Sequence, residues 1–230
     1  MIYITGDTHI PIDIGKLKAK NFPEQKALSK SDYLIICGDF GGVWNDSAEE
    51  TYWLTWLNKK NFTTLFVDGN HENHRMLNEN YDVISYKGGK AHRIKDNVYH
   101  LMRGQVFVID GKKFFTMGGG ESRDKEFRKE GISWWPEELP SKEECAEAVL
   151  NLEKNDFTVD YVVTHCAADS IQEKIDEYYP YNTLTEFLEA VKNEVSYKRW
   201  YCGHYHRDRA IDDKHTCVYD KIIKISESSH

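Results

Sequence analysis

The sequence predicts an α/β layered fold, and two observations support this prediction. First, short apolar runs alternate with stretches of helical periodicity, as in folds where helices pack on sheets. Second, residues 91–117 contain several consecutive strand-like runs separated by turn signals, so part of the sheet structure is antiparallel. The runs that predict buried strands are Ile2–Thr5, Tyr33–Cys37, 64–68, Tyr161–Thr164 and Arg199–Cys202.

Turn-forming residues divide the middle and the end of the chain. We predict turns at Asp96-Asn97, at Arg103-Gly104 and at 110–112, each joining neighbouring strands in a hairpin. A last hairpin is predicted within 216–225, around Asp220-Lys221.

Three stretches predict amphipathic helices. Residues 48–59 carry apolar side chains at helical spacing, and Ser141 followed by Glu144 forms a capping box that predicts a helix start. A second capping box is predicted from Thr183 to Glu186. The apolar stripe of this last helix comprises Leu184, Phe187, Leu188, Val191 and Val195.

Composition indicates one globular domain over residues 1–230 in a reducing compartment. The 230 residues are enough to bury a substantial core, and no composition shift or linker divides them. Five scattered cysteines without a CxxC pair do not form a disulfide framework. No apolar run approaches the roughly 20 residues that span a bilayer, and the first strand leads directly into a motif. We therefore expect a cytoplasmic protein without a signal peptide or membrane segment.

The net charge of −8 argues against one class of partner. Tight binding to duplex nucleic acid needs a basic surface, so duplex DNA or RNA is not an expected ligand. The charge balance gives no information on oligomeric state.

Polar side chains follow each of the five predicted strands. The carboxyl ends of strands collect functional groups in open α/β sheets, so these five loops can converge on one site. Imidazole and carboxylate groups suit Mn, Fe, Zn or Co better than Ca or Mg, and a carboxylate can bridge two ions roughly 3.5–4 Å apart. Asp39 is the candidate bridge. The motifs are Gly6-Asp7-Thr8-His9, Gly38-Asp39, Gly69-Asn70-His71-Glu72, Thr164-His165 and Gly203-His204-Tyr205-His206.

These spacings resemble the calcineurin-like metallophosphoesterases, whose five blocks D-x-H, G-D, G-N-H-[DE], a single His and G-H-x-H occur here in order, from Asp7 to His206. The resemblance implies a four-layer α/β/β/α sandwich with mixed sheets and helices on both outer faces. It also implies two divalent transition metals, with Mn²⁺ or Fe²⁺/Fe³⁺ expected and Zn²⁺, Co²⁺ or Ni²⁺ left open. The implied ligands are Asp7, His9, Asp39 and His206 for the first metal, and Asp39, Asn70, His165 and His204 for the second.

The resemblance further implies a hydrolase of phosphoesters. Hydroxide formed between the two metals would attack phosphorus in line with the leaving group, and His71 would protonate the leaving oxygen or stabilise charge there. Two other hydrolase classes fit poorly. Aspartyl-phosphate phosphatases place a second Asp where His9 stands, and the sequence after His206 does not complete H-x-H-x-D-H.

The substrate class is less well defined. Protein Ser/Thr phosphatases of this superfamily extend the second block to G-D-x-x-D-R-G, whereas this chain has Gly42 and Val43 at the Asp and Arg positions. A small phosphodiester, nucleotide or phosphomonoester is therefore preferred. A protein phosphatase and a non-catalytic metal-binding interaction module remain the alternatives, although the latter tends to lose part of the histidine set. Asp68 is interpreted as a strand-end turn residue, which leaves open what orients His71.

Residues 118–140 form the irregular segment of the chain. A long ordered loop is either a binding loop or a surface excursion pinned by its tryptophans, and both interpretations are open. Arg123, Lys125 and Arg128 suit phosphate oxygens, although the pattern favours a solvated helix face over phosphate binding. The aromatic residues that could stack on a nucleobase or pack in the core are Trp134, Trp135, Tyr178, Tyr179 and Tyr181.

The remaining histidines and the cysteines at strand ends receive no functional role. Buried cysteines are usually small apolar groups, so Cys37, Cys166 and Cys202 are not expected to bind metal. The histidines interpreted as ordinary surface or core residues are His74, His92, His100, His215 and His230.

Overall fold

The computed structural model of the protein describes residues 1–225 and contains thirteen strands in this range. They are β1 (Ile2–Thr5), β2 (Tyr33–Cys37), β3 (Thr63–Val67), β4 (Val83–Tyr86), β5 (Gly89–Lys95), β6 (Val98–Leu101), β7 (Gln105–Ile109), β8 (Lys112–Met117), β9 (Tyr161–Thr164), β10 (Arg199–Cys202), β11 (Arg209–Ala210), β12 (His215–Cys217) and β13 (Ile223–Ile225). The α-helices of the same range are α1 (Ala48–Asn58), α2 (His74–Glu79), α3 (Lys142–Glu153), α4 (Asp169–Ile175) and α5 (Thr183–Glu194).

The strands form two mixed sheets. The seven-stranded sheet has the order β13-β1-β2-β3-β6-β5-β4, and the six-stranded sheet has the order β11-β12-β10-β9-β8-β7. In the first sheet β1, β2, β3 and β6 are parallel. On one side β13 pairs antiparallel with β1, and on the other β5 pairs antiparallel with β6 and β4 with β5. In the second, β8, β9, β10 and β12 are parallel and β7 and β11 are antiparallel.

Three apolar clusters place the layers. The middle cluster lies between the sheets and joins side chains such as Ile4 and Leu65 to Phe114 and Val163. A second cluster packs the outer face of the seven-stranded sheet against α1, and a third packs the six-stranded sheet against α3, α4 and α5. This helix–sheet–sheet–helix arrangement confirms the predicted four-layer α/β/β/α sandwich.

Most predicted elements lie where the periodicity placed them. Four predicted strands have the observed bounds, while β3 begins and ends one residue before the predicted 64–68 and α1 ends one residue before the predicted 48–59. Four elements carried no recognised signal, namely β4, β11, α2 and α4. The edge strand β4 alternates between exposed and half-buried residues, which weakens its apolar pattern.

The second predicted capping box is wrong. The N-cap of α5 is Asn182 rather than Thr183, and its Oδ1 accepts hydrogen bonds from the backbone N–H groups of Leu184 and Thr185 at 3.0 and 3.1 Å. Thr185 completes the box with its hydroxyl, which accepts from the Asn182 N–H at 2.9 Å. An Asn carbonyl oxygen caps as well as a hydroxyl does, so the helix begins after Asn182. The box at Ser141 and Glu144 is confirmed.

Two predicted hairpins are also wrong. The turn at Arg103-Gly104 connects β6 of one sheet to β7 of the other, and the segment around Asp220-Lys221 connects β12 to β13 across the sandwich. The strands beside these turns pair with strands that are distant in the sequence: β6 pairs with β3, β12 with β10, and β13 with β1. Local turn chemistry does not distinguish a hairpin from a sheet-to-sheet connection.

Two further features concern compartment and domains. Among the helices of residues 1–225, none has the length and apolar character needed to cross a bilayer. All five cysteines are free thiols. The single domain over 1–230 stays a prediction.

Candidate metal centre

Each of the five sequence blocks lies at the carboxyl end of a strand. Asp7 and His9 follow β1, Asp39 follows β2, and Asn70 follows β3, all in the seven-stranded sheet. His165 follows β9, and the His204 and His206 pair follows β10, in the six-stranded sheet. The two sheets therefore bring their loops together at one end of the sandwich.

The structure brings the candidate ligands into two groups. In each group the potential ligand atoms lie within 4.8 Å of one another. Asp39 belongs to both groups. Asn70 joins the second through its Oδ1, which lies 3.2 Å from His165 Nε2. The groups are Asp7, His9, Asp39 and His206, and Asp39, His165 and His204.

The backbone of this centre adopts a conformation that side chains other than glycine rarely take. The φ angles of His9, Asp39, His204 and His206 are 34°, 43°, 67° and 49°. Strain of this kind is characteristic of functional sites, where the surrounding structure must enforce it. Here the Asp39 carbonyl accepts hydrogen bonds from the N–H groups of Thr8 and His9 at 2.9 and 2.8 Å, which ties the first two loops together.

A glycine is required at position 69 because Asp39 and His165 pack closely against its Cα. A Cβ at this position would lie 2.1 Å from the Asp39 Oδ1 atom and 2.8 Å from His165 Nε2. The glycine of the G-N-H-E block therefore leaves space for the carboxylate shared by both groups.

The donor set fits divalent cations. The Asp7 Oδ2 atom is buried and makes no hydrogen bond within residues 1–225, although His206 Nε2 lies 3.3 Å from it, and a bound cation would satisfy it. His9 Nδ1 contacts Asp13 Oδ2 at 2.8 Å, and His165 Nδ1 contacts the Cys37 carbonyl at 2.9 Å. Such contacts at Nδ1 orient each imidazole so that its Nε2, the atom that would bind a metal, faces Asp39.

The charges of the centre are strongly coupled. Although burial opposes ionisation, His165 and His9 hold the pKa of Asp39 well below its usual range. Burial lowers the pKa values of His9 and His165, but Asp39 outweighs it and raises them to about 9 and about 10. Burial and the neighbouring His165 lower the pKa of His204 to about 3. The centre thus concentrates negative charge that protons or metal cations can balance.

His71 lies beside the centre rather than in either group. Its backbone N–H donates to Asp39 Oδ1 at 2.8 Å, and its ring centroid lies 5.1 Å from that of His9 and 6.4 Å from that of Trp44. Arg128 Nη2 lies 3.5 Å from His71 Nε2. Burial, together with His9 and Arg128, lowers the pKa of His71.

Asp68 is not simply a turn residue, as the sequence suggested. Its buried carboxylate accepts from Arg103 Nη2 at 2.6 Å and contacts His100 Nε2 at 3.0 Å. His100 in turn contacts the buried His92, with 2.9 Å between their Nδ1 atoms. Asp68 therefore organises a buried polar network next to the β3 loop, and it does not contact His71.

Buried residues anchor the segment 118–140 next to the candidate metal centre. Ser122 donates through its N–H and its hydroxyl to the buried Glu138 carboxylate, both at 2.9 Å, and Asn70 Nδ2 lies 3.4 Å from Ser122 Oγ. Trp135 is only 1% exposed and packs edge-on against Trp44. The segment is thus pinned by a tryptophan and also contacts the candidate site.

The cationic residues of this segment lie on or beside a short exposed helical turn, Lys125–Phe127, and each has a partner. Lys125 pairs with Glu121, and Arg128 pairs with Asp124 at 2.7 Å. The Arg123 guanidinium lies over the Tyr179 ring at 4.6 Å from its centroid. Of the two predicted substrate contacts, only Arg128 lies beside His71.

Sequence reasoning missed two supporting residues. Glu72 is fully buried and accepts from the N–H groups of Phe40 and Gly69 at 2.6 and 2.8 Å, which joins the β2 and β3 loops. Burial and the nearby Asp39 raise the pKa of Glu72 to about 8. Asp13, four residues after His9, also accepts from the Tyr219 hydroxyl at 3.1 Å. Only Glu72 had a recognisable signal, its place in the G-N-H-E block.

The residues left without a role lie outside the candidate groups. Cys37, Cys166 and Cys202 are buried, as expected of small apolar groups. His74, His92, His100 and His215 are buried polar residues, while His230 lies outside the described residues.

The four-layer fold and the clustered carboxylate and imidazole groups define the class of protein, one with two candidate groups of metal ligands at the ends of its strands. The family model of the calcineurin-like phosphoesterases matches residues 1–208, so the chain belongs to this family. The membership confirms the resemblance seen in the sequence and the assignment as a phosphoester hydrolase.

Other comparisons are more distant. A solved structure of a protein assigned as a 5'-nucleotidase from Staphylococcus aureus, in complex with alpha-ketoglutarate, is similar at a TM-score of 0.46 and 16% sequence identity. The alignment covers 95% of this chain and 48% of that chain, so this chain spans about half the length of that protein. A comparison with curated protein sequences finds no significant match.

Proposed function

We propose that the protein hydrolyses small phosphoesters at a dinuclear metal centre. The observation that carries this proposal is the pair of candidate ligand groups that share one carboxylate, Asp39. A shared carboxylate is what a two-metal site requires. The proposed ligands are Asp7, His9, Asp39 and His206 for one metal, and Asp39, Asn70, His165 and His204 for the other.

The metals would supply Lewis acidity, which polarises a phosphoryl oxygen and lowers the pKa of a water molecule. The protein residues supply position and proton transfer. Asp7 and Asp39 offer buried carboxylate oxygens, and contacts at Nδ1 orient the imidazoles of His9 and His165. Manganese or iron remains the proposed metal, in keeping with the mixed oxygen and nitrogen donors.

His71 is the proposed general acid. It is held beside Asp39 by its backbone N–H, with its ring centroid 5.1 Å from that of His9, so a proton on its imidazole would be in position for transfer to a leaving oxygen. Arg128 is proposed to bind a phosphoryl oxygen next to His71, because its guanidinium is already fixed by Asp124.

A small diester, nucleotide or monoester is preferred over a phosphoprotein as substrate. Val43 stands where protein phosphatases of this superfamily place an Arg, and its side chain is fully buried. It therefore has neither the charge nor the position to bind phosphate. Arg128 supplies a cation from a different loop. A cytoplasmic location, suggested by the free cysteines, stays a prediction.

The test uses a chromogenic phosphomonoester and the matching phosphodiester. We expect metal-free enzyme to be inactive and to gain turnover when Mn²⁺ is added, and the preferred ester distinguishes monoesterase from diesterase. Metal analysis accompanies the assay. Turnover that is independent of metal, or a protein that binds no metal, would contradict the proposed centre.

A further inference from the structure

We propose that a cleft beside His204 binds a second anionic group of the substrate, and that Arg123 is the residue that selects it. The inference rests on the proposed function and names a substrate class. The preferred substrates are phosphoesters that carry another phosphate or a carboxylate some atoms away from the scissile phosphorus.

The cleft adjoins the candidate metal centre directly. It has a volume of about 460 Å³ and lies between the start of the 118–140 segment and residues 178–182. Three of its lining residues touch or neighbour candidate ligands. His204 is itself a candidate, Cys166 follows His165, and Ser122 contacts Asn70 at 3.4 Å. A phosphoryl group at the metals would therefore have the rest of its molecule within reach of this cleft.

The charge of the cleft is positive in a protein of net charge −8. Its ionised lining residues are Glu121, Arg123 and Lys125, which sum to one positive charge. Glu121 and Lys125 neutralise each other in an ion pair. Arg123 supplies the remaining charge, and within residues 1–225 it makes no ion pair with a carboxylate. Arg123 is an exposed residue, and an arginine carries more N–H donors than one ring contact can use, so it can bind a second anion.

Tyr179 holds Arg123 in place without neutralising it. The guanidinium lies 4.6 Å from the Tyr179 ring centroid, and the same ring packs against His204 with 5.3 Å between centroids. A cation–π contact orients the guanidinium and leaves its charge intact. Arg123 is thus fixed relative to the metal centre, as a specificity residue must be.

The two arginines of the segment serve different parts of the substrate. Arg128 lies 3.5 Å from His71 Nε2, where the leaving oxygen is expected. Arg123 lies in the cleft that His204 lines. Only a substrate with two anionic groups can use both arginines.

The experiment compares three substrates of the Mn²⁺-loaded enzyme: propyl phosphate, 3-(phosphonooxy)propanoate and propane-1,3-diyl bisphosphate. Inorganic phosphate release gives kcat/KM for each, together with the four-carbon homologues to allow for spacing. We expect kcat/KM for the two substrates with a second anionic group to exceed kcat/KM for propyl phosphate by about tenfold or more. This is the usual effect of a charge-assisted hydrogen bond. Arg123→Gln should reduce this preference ratio to near one, and Arg123→Lys should restore part of it.

Arg93→Gln is the matched control, because Arg93 is an exposed arginine on β5, outside the cleft. Its preference ratio should equal that of the wild type. A preference for both second groups supports recognition of anions in general, and a preference for the bisphosphate alone supports a second phosphate. Equal kcat/KM for all three substrates, or a ratio that Arg123→Gln does not change, would overturn the inference.

Failure of the proposed function would give a different result from failure of the cleft assignment. In that case none of the three substrates would release phosphate in a metal-dependent manner. Calorimetric titration of the same compounds into wild type and Arg123→Gln would then decide the matter. Tighter binding of the bisphosphate that depends on Arg123 would support the cleft assignment, and equal affinities would refute it.

Discussion

At the residue scale, the Asp39 carboxylate connects the two sheets of the sandwich. Its Oδ2 lies 3.1 Å from His9 Nε2 in the β1 loop, and its Oδ1 lies 3.3 Å from His165 Nε2 in the β9 loop. It occupies this place with a φ of 43°, so the backbone is strained at the residue that is the proposed bridge between the two metals. The site therefore depends on one side chain more than on the others.

Asp39→Asn should weaken both metals together, since an amide bridges two cations poorly. We expect metal analysis after dialysis to show a loss of about two ions per chain. Asp46→Asn is the matched control, because Asp46 is an exposed Asp with a similar φ of 54°. Wild-type stoichiometry in Asp39→Asn would refute the shared ligand.

His71→Ala should keep the metals and lose activity selectively. A general acid matters most when the leaving oxygen is basic, so kcat for alkyl phosphates should fall by about 10²–10⁴-fold while p-nitrophenyl phosphate is affected less. Steady-state kinetics over a series of leaving groups measure this dependence. If the loss were the same for every leaving group, His71 would have no acid role.

At the element scale, the 118–140 segment is the part of the chain that distinguishes this site. It is irregular, apart from two short 3₁₀ turns, yet it is anchored by buried Glu138 and Trp135. Arg103 Nη2 also donates to the Glu137 and Glu138 carbonyls at 2.9 and 3.2 Å. These anchors hold the loop that carries Arg123, which lines the cleft beside His204, and Arg128, which lies beside His71.

Glu138→Gln should loosen this segment, because the amide cannot accept both hydrogen bonds from Ser122 without turning its NH₂ toward a donor. We expect faster tryptic cleavage near Lys125 and Lys129 and a lower kcat/KM at unchanged metal content. Glu126→Gln, an exposed position in the same segment, should behave as wild type. Unchanged proteolysis in Glu138→Gln would show that the anchor is dispensable.

At the scale of the whole molecule, buried histidines couple stability to pH. Burial, together with Arg103, lowers the pKa of His74 to about 4, and burial, together with His100, lowers that of His92 to about 4. Unfolded histidines titrate near 6.5. Between pH 6.5 and 4 these two histidines bind more protons in the unfolded chain than in the folded protein, so their contribution to stability falls as the pH falls through this window.

Urea unfolding of the metal-free protein should show this loss. We expect the free energy of unfolding to drop by at least about 1.4 kcal/mol between pH 7 and pH 4.5, the equivalent of one pKa unit. His92→Gln should reduce the slope, because it removes one buried group that titrates. A slope identical to that of the wild type would show that His92 does not titrate in this window.

The sequence by itself determined five buried strands and the five blocks of candidate ligands that follow them. A buried strand followed by Gly and a candidate metal ligand is a local pattern. It can be recognised at Gly38-Asp39 or Gly203-His204 without knowing which strands pair. The capping box at Ser141 could be predicted for the same reason, because its hydrogen bonds connect residues that are three apart in the sequence.

Only the tertiary structure decided which strands pair and which side chains meet. The segments around Arg103-Gly104 and Asp220-Lys221 look like hairpins locally, yet each crosses between sheets because the distant β3, β10 and β1 offer the pairing partners. The separation of Arg128 from Arg123, and the burial of Asp68 against Arg103, likewise depend on residues far along the chain. Local spacing fixes what a residue can do, whereas long-range packing fixes what it contacts.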